Sequence, residues 1–349
     1  IPGSAGNRKT WTWSGWVKLN ELASFYLFSV PDSSGHASFM FDSGQLRWNT
    51  YTTATNGLFT SSAYFRDPGW YHVVLAFDAT ESTTTDRIKV YVNGEQLTSS
   101  SYTTPDGSDT PVNNTVEHSI GARYQGATSG DVNITNNYFI DGAALGPDNF
   151  GFTDPLTNTW RPKKYEHRTD LYGVTWSSAL VGDASGFQSA GLAADGFDGE
   201  VGSSDNQYAQ NNTGSNPSTI TFTPVGGIKF NSSIQVYLIN AANTVNVNGE
   251  GAQTIAANQW VTVKTGSGTL NTLVFSRAST GGASFSAIRV DGHILIDAQN
   301  DNSFYLPMDG NSPIGEDKIG NGNNWTPVNF DGSVALDKAT GALPILNTV

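Results

Sequence analysis

The sequence predicts an all-β protein: two β-sandwich (jelly-roll) domains followed by an irregular C-terminal segment. Three observations predict it. Apolar residues alternate with a period of two rather than 3.6. Asn-Gly and Asp-Gly pairs stand between such runs, and these pairs supply the positive φ angles that tight hairpin turns need. No segment of ten or more residues shows an amphipathic helical pattern.

Trp70–Phe77 (Trp-Tyr-His-Val-Val-Leu-Ala-Phe) is a β-rich run that Asp78 ends. In Ile88–Val92, Ile88, Val90 and Val92 lie on one face and Lys89 and Tyr91 on the other. Asn93-Gly94 then predicts a hairpin. The phrase recurs at Tyr138–Asp141 with Gly142, at Val245–Val247 with Asn248-Gly249, and at Ile288–Val290 with Asp291-Gly292. Short strands separated by such turns indicate sandwiches or barrels. The cluster Trp160-Arg161-Pro162-Lys163-Lys164-Tyr165-Glu166-His167-Arg168 marks a boundary. It sets a first sandwich over 1–165, a second over 170–298 and a segment 299–349 that links onward or packs back on the first domain. Within that segment, Asn321–Pro327 reads as an ordered loop around the single anchor Trp325.

Composition excludes several functions. The 349 residues hold 18 Lys+Arg and 31 Asp+Glu, a net charge of −13, and no Cys. An acidic chain lacks the basic face that nucleic acid or an anionic membrane requires. Without Cys there is no disulfide framework, thiolate nucleophile or Cys-ligated metal. No apolar run approaches the ~20 residues of a membrane-spanning helix. Charged residues are only 14%, against roughly 25% in ordinary globular chains. That leaves a surface of hydroxyls and amides, which suits an extracellular β-structural protein. The chain opens on Ile1-Pro2-Gly3-Ser4 and reads as a processed chain or a piece of a longer one.

Thr12-Trp13-Ser14-Gly15-Trp16-Val17-Lys18, Gly69–Val74 and Val90-Tyr91-Val92-Asn93-Gly94, closed by His118–Gly121 and Tyr138–Gly142, resemble the laminin-G-like or concanavalin-like jelly roll over about Thr10 to Tyr165. Such a sandwich begins with a strand upstream of the Trp-Val-Lys strand, and few residues precede it here. Ser303–Gly310 is the candidate substitute. A wider string resembles fibre and other virion structural proteins of marine phages, cyanophages especially. It comprises Pro2–Trp11, Trp160–Tyr165, Gly320–Pro327 and Gly341–Asn347. This resemblance implies a virion appendage protein that contacts host-surface glycans. Ala193–Gly199, Thr219–Phe222 and Ile288–Gly292 look like the galactose-binding-like jelly roll. That family carries a Thr-x-Trp after its Asp-Gly, and Ser203–Tyr208 has no Trp. Asp198 is the candidate ligand if calcium is bound there; the alternative is an ordinary Asp-Gly turn.

Catalytic signatures are missing. A retaining glycosidase needs two carboxylates ~5 Å apart, and no two glutamates lie within five residues of each other. There is no Gly-x-Ser-x-Gly, no His-Glu-x-x-His and no phosphate-binding Gly-x-x-x-x-Gly-Lys. His72, alternating with Trp70 and Val74, reads as a packing residue. Calcium is the cofactor the residues admit, through Asp198, Asp106–Asp109 or Asp297 with Asn300–Asn302, although Asp-Gly-Ser is also turn chemistry. For a sugar platform, Trp48 and Tyr51 are the candidates, with core packing as the rival role for Trp48.

The expectation is therefore a non-enzymatic virion structural or appendage protein, a fibre or decoration element located on the virion or otherwise outside the cell. Its expected partners are other copies of itself (a trimer), other virion proteins and cell-surface polysaccharide, with neither nucleic acid nor membrane. The alternatives are a free carbohydrate-binding module and a glycan depolymerase.

Overall fold

The computed structural model describes residues 1–32, 35–51, 55–123, 132–240, 243–278 and 281–328. The phrase Gly341–Asn347 lies outside the described residues. Two compact units emerge: Ile1–Ala79 with Thr83–His167 and Asn300–Val349, and Arg168–Gln299 with Thr80–Ser82. Residues 300–328 thus group with the first unit.

In the first unit the strands are Thr10–Leu19 (β1), Phe25–Asp32 (β2), Gly35–Asp42 (β3), Gln45–Tyr51 (β4), Thr55–Ser61 (β5), Trp70–Asp78 (β6), Ile88–Val92 (β7), Glu95–Gln96 (β8), Ser99–Thr103 (β9), Ser119–Ile120 (β10) and Val132–Asp141 (β11). A tail strand, Phe304–Leu306, pairs antiparallel with β11. One six-stranded sheet runs tail strand-β11-β1-β6-β7-β8, the other β10-β2-β3-β4-β5-β9.

Alternation decides which side chains fill the space between the sheets. From β1, Trp11, Trp13, Val17 and Leu19 point inward; from the other sheet, Phe39, Phe41, Leu46 and Trp48 meet them. Trp11 stacks on Phe77 at 5.1 Å and meets Trp48 edge-on at 5.2 Å. Trp13 lies over Gly15, where a Cβ would fall 2.8 Å from the indole. A bulge in β11 opposite Gly15 places Asn136 at φ 48°, and Asn136 accepts a hydrogen bond from the Tyr305 hydroxyl.

The outer face of the β1 sheet is covered. Val74, Tyr138 and Ile140 pack under Ala143, Leu145, Phe150 and Tyr165. Thr12 Oγ1 fixes the crossing chain by donating to the Ala143 carbonyl (2.6 Å) and accepting from the Leu145 amide (2.8 Å). A hairpin of Gly151–Asp154 (β12) and Thr159–Pro162 (β13) carries Trp160 into the same layer. Trp16, His72 and Trp160 form a stack with centroid spacings of 5.2 and 5.9 Å. Gly94 and Gly151 leave the room that the Trp160 ring occupies; a Cβ on either would meet it at 2.7 or 2.5 Å.

In the second unit, a five-stranded sheet runs Leu180–Gly182, Ser218–Phe222, Leu273–Arg277, Asn243–Val247, Ala252–Thr254. A four-stranded sheet runs Trp260–Thr265, Ser233–Tyr237, Ala287–Val290, His293–Ile294. Ile220, Phe222, Val245 and Phe275 from one and Ile234, Val236, Ile288 and Val290 from the other share a single core. Among the described residues the fold is all-β, with only short 3-10 turns between strands.

Candidate functional site

The two outer faces of the first unit's sandwich carry different chemistry. On the β2–β5 sheet the outward positions are mostly polar and follow the register in rows across the strands. One row is Ser119, Ser29, Ser38, Asn49, Leu58, Thr103. Beside it runs Tyr26, Met40, Arg47, Thr60, Ser101. On the other side, His36 lies opposite Tyr51, their rings stacked at 6.1 Å and 28°.

Few charges stand in these rows. Arg47 Nη1 bonds Asp42 Oδ2 at 3.0 Å. Burial and the nearby Arg123 guanidinium hold His36 below the usual histidine range, so it is neutral at pH 7. Gln45 donates to the Ser61 carbonyl at 2.5 Å, which fixes its amide at the strand end. Ser29 and Ser38 are buried, and Ser29 Oγ donates to the Ala122 carbonyl at 2.9 Å. The accessible part of the face is therefore Tyr51, Asn49, Leu58, Thr60, Ser101 and Thr103 with Arg47, and beside them Tyr26, His36, Met40 and Ser119.

The structure separates the two expected platform residues. Trp48 is wholly buried, packed on Trp11 and Phe77, and presents no ring face to solvent. Its assignment to a sugar platform is corrected to core packing. Successive side chains of a strand point to opposite faces, so Leu46, Trp48 and Thr50 point inward and Tyr51 does not. Tyr51 is 45% exposed. Asn49, which sequence reasoning passed over, shares the outward face with Tyr51. Counting alternate positions outward from Trp48 would have found it.

Asp198 closes a turn. Its Oδ1 accepts the Glu200 amide at 2.8 Å, and Gly199 follows at φ 85°. Partial burial, with Glu200 and Asp195 nearby, pushes its carboxyl up to about 6. The other acidic candidates also serve local structure. Asp106 accepts the Ser108 amide, Asp297 accepts from the Ser177 amide and hydroxyl, and Asp301 pairs with His167 at 2.5 Å. Among the described residues, no group of three or more His, Asp or Glu side chains is placed to hold a metal ion.

His72 is a packing residue with a defined protonation state. Trp160 Nε1 donates to its Nδ1 at 2.9 Å, and an indole nitrogen can only donate. The proton therefore sits on Nε2, which donates to Ser14 Oγ at 2.9 Å. Burial pushes its pKa down to about 3, leaving a neutral ring with both nitrogens engaged rather than a base.

Comparison with known proteins agrees with this architecture for the first unit. A family model of the laminin-G type, described as the concanavalin A-like lectin/glucanases superfamily, matches residues 1–143. No curated protein sequence matches the chain. Among solved structures, it is similar to a native heptameric SAP-like pentraxin from Limulus polyphemus: 16% identity, TM-score 0.28, covering 39% of this chain and 65% of that one. The CBM40 of the Ruminococcus gnavus IT-sialidase aligns with 14% identity and TM-score 0.30, over 42% and 92%. Domains LG4-5 of the mouse laminin alpha1 chain align with 12% identity and TM-score 0.28, over 85% and 82%. The chain thus spans 65% of the pentraxin's length. The first unit is a laminin-G-like, concanavalin-type jelly roll.

Proposed function

We propose that this chain is a non-enzymatic polysaccharide-binding protein whose contact surface is the outer face of the β2–β5 sheet. The observation that carries this is the row Asn49, Leu58, Thr103 with its flanking Arg47, Thr60 and Ser101 and the exposed Tyr51. Hydroxyl and amide groups stand on successive strands ~4.8 Å apart. That spacing is close to the advance of one sugar ring along an extended polysaccharide. Tyr51 supplies the apolar ring face against which a pyranose packs. A concanavalin-like fold for residues 1–143 supports a binding role. The face offers Asp42 bound to Arg47 rather than two facing carboxylates, which favours binding over hydrolysis.

We further propose that the binding protein is a phage virion appendage, a fibre or decoration element present as a symmetric oligomer, with a trimer favoured. This finer reading is supported by the resemblance of Pro2–Trp11, Trp160–Tyr165 and Gly320–Pro327 to such proteins, and by a surface poor in long charged side chains.

A glycan array probed with the full chain tests the binding. The expected result is retention of at least one polysaccharide, with affinity reduced tenfold or more by Tyr51→Ala or Asn49→Ala and no release of new reducing ends. A blank array, or binding unmoved by both substitutions, overturns it. Localisation and copy number in purified particles test the appendage reading; a monomer never associated with particles overturns that part alone.

A further inference from the structure

The segment between β5 and β6 passes beside the β3–β4 turn. Phe65 donates its amide to the Gly44 carbonyl at 2.7 Å. Its ring turns into the molecule, against Phe41 at 5.8 Å and Tyr71 at 5.4 Å. The residues on either side of it do the opposite. Tyr64 is 55% exposed. Its ring lies against the turn, where a Cβ on Gly44 would fall 3.7 Å from Tyr64 Cδ1. The Arg66 guanidinium, also exposed, stands over the Tyr64 ring at 5.1 Å from its centroid.

This pair differs from the rest of the first unit's surface in two ways. Among the described residues of the unit, three aromatic rings are exposed: Tyr51, Tyr64 and Phe152. Two of them mark the two ends of β4. Tyr51 is its last residue, and Tyr64 touches Gly44, which directly precedes Gln45, its first. The second difference is charge. Arg8, Arg47 and Arg161 each meet a carboxylate, whereas among the described residues the contact that Arg66 makes is with the Tyr64 ring. A guanidinium held over an aromatic face keeps N–H donors for an oxyanion.

We propose that Tyr64 and Arg66 form a second carbohydrate subsite, which takes a sugar bearing a carboxylate or sulfate group. The inference rests on the glycan-binding reading above and adds the ligand's charge and reach. One face of the pyranose packs on the open side of the Tyr64 ring, and its oxyanion accepts from Arg66. Arg47 is already matched by Asp42, so the preference for an anionic sugar falls at the Tyr64 end. Over 51 − 45 = 6 positions at ~3.4 Å each, β4 sets its two ends about 20 Å apart, or roughly four sugar rings. A short oligosaccharide therefore fills one end, and a long or branched anionic polysaccharide fills both.

The test is binding of the full chain to alginate, which carries carboxylates, to carrageenan, which carries sulfates, and to neutral laminarin. At least one anionic polysaccharide is expected to bind, with affinity reduced at least fivefold by Arg66→Gln and by Tyr64→Ala. The Arg66→Gln loss should shrink as salt is raised, and any laminarin binding should be unmoved by it. Both residues are exposed, so the variants are expected to keep the melting temperature of the unaltered chain. If neither anionic polysaccharide binds, or if both variants bind them as the unaltered chain does, the second subsite is overturned. Should Tyr51→Ala still weaken binding in that second case, the glycan-binding reading stands without it.

Discussion

The two outer faces of the first unit's sandwich are built from the same alternation but end differently. On the β1 sheet, Val74, Tyr138 and Ile140 demand cover, and residues 143–165 provide it. On the β2–β5 sheet the corresponding positions are mostly polar; Ser29 and Ser38 are buried, while Asn49, Thr60 and Tyr51 stay at the surface. Period-two patterning marks which face is inside. What happens to the other face depends on whether its residues are apolar enough to recruit a further layer. The difference separates aromatic residues that hold the fold from those left at the surface.

The largest effect that tests this division is Trp48→Ala. It empties a site packed against Trp11 and Phe77 and should cost about 3–5 kcal/mol in a urea titration. A loss below 1 kcal/mol would place Trp48 outside the core. Next comes the covered face. His72 has a folded pKa of about 3 against 6.5 in the unfolded chain. Its contribution is complete above pH 6.5 and is lost as pH falls toward 3, because only the unfolded chain takes up the proton. Between pH 6.5 and 4 the unaltered protein should lose about 3 kcal/mol more than His72→Gln, measured by denaturation at the two pH values. Gly151→Ala should cost about 1–3 kcal/mol, since its Cβ would lie 2.5 Å from the Trp160 indole. Smallest is Tyr51→Ala, which should leave stability within about 0.5 kcal/mol while removing glycan binding. If it melted the protein like Trp48→Ala, the contrast between the faces would fail.

Turn chemistry was legible where the pair alone decides the backbone. Asn93-Gly94, Asn248-Gly249 and Asp291-Gly292 have positive φ at both residues, as a hairpin with two left-handed positions requires. Asp141-Gly142 has the same letters, but only Gly142 is left-handed. Asp141 remains in the strand because residues far away in sequence, Asn7 and Asn302, satisfy its carboxylate. Ser43-Gly44 makes the same turn, at φ 52° and 85°, without the Asn or Asp that announces it. The Trp325 anchor was readable: its ring meets Phe304 at 4.9 Å, and Gly315, at φ 87°, accepts its amide. The candidate site was half legible. Tyr51 and Trp48 were singled out together from the polar residues around them, but that pairing ignored that residues three apart on a strand face opposite ways. The register that puts Asn49 opposite Leu58, and Leu58 opposite Thr103, depends on long-range pairing that no local pattern encodes.

The tail strand has a further consequence for how the chain is made. Phe304 pairs with Phe139, 304 − 139 = 165 positions earlier. At roughly 5–20 residues per second of synthesis, that interval is on the order of 10–30 s. Throughout it, β11 waits with an open hydrogen-bonding edge, and everything from Arg168 to Gln299 emerges first. A nascent chain halted before Ser303 would leave the ribosome with a sandwich one strand short and an edge able to pair with any neighbouring chain.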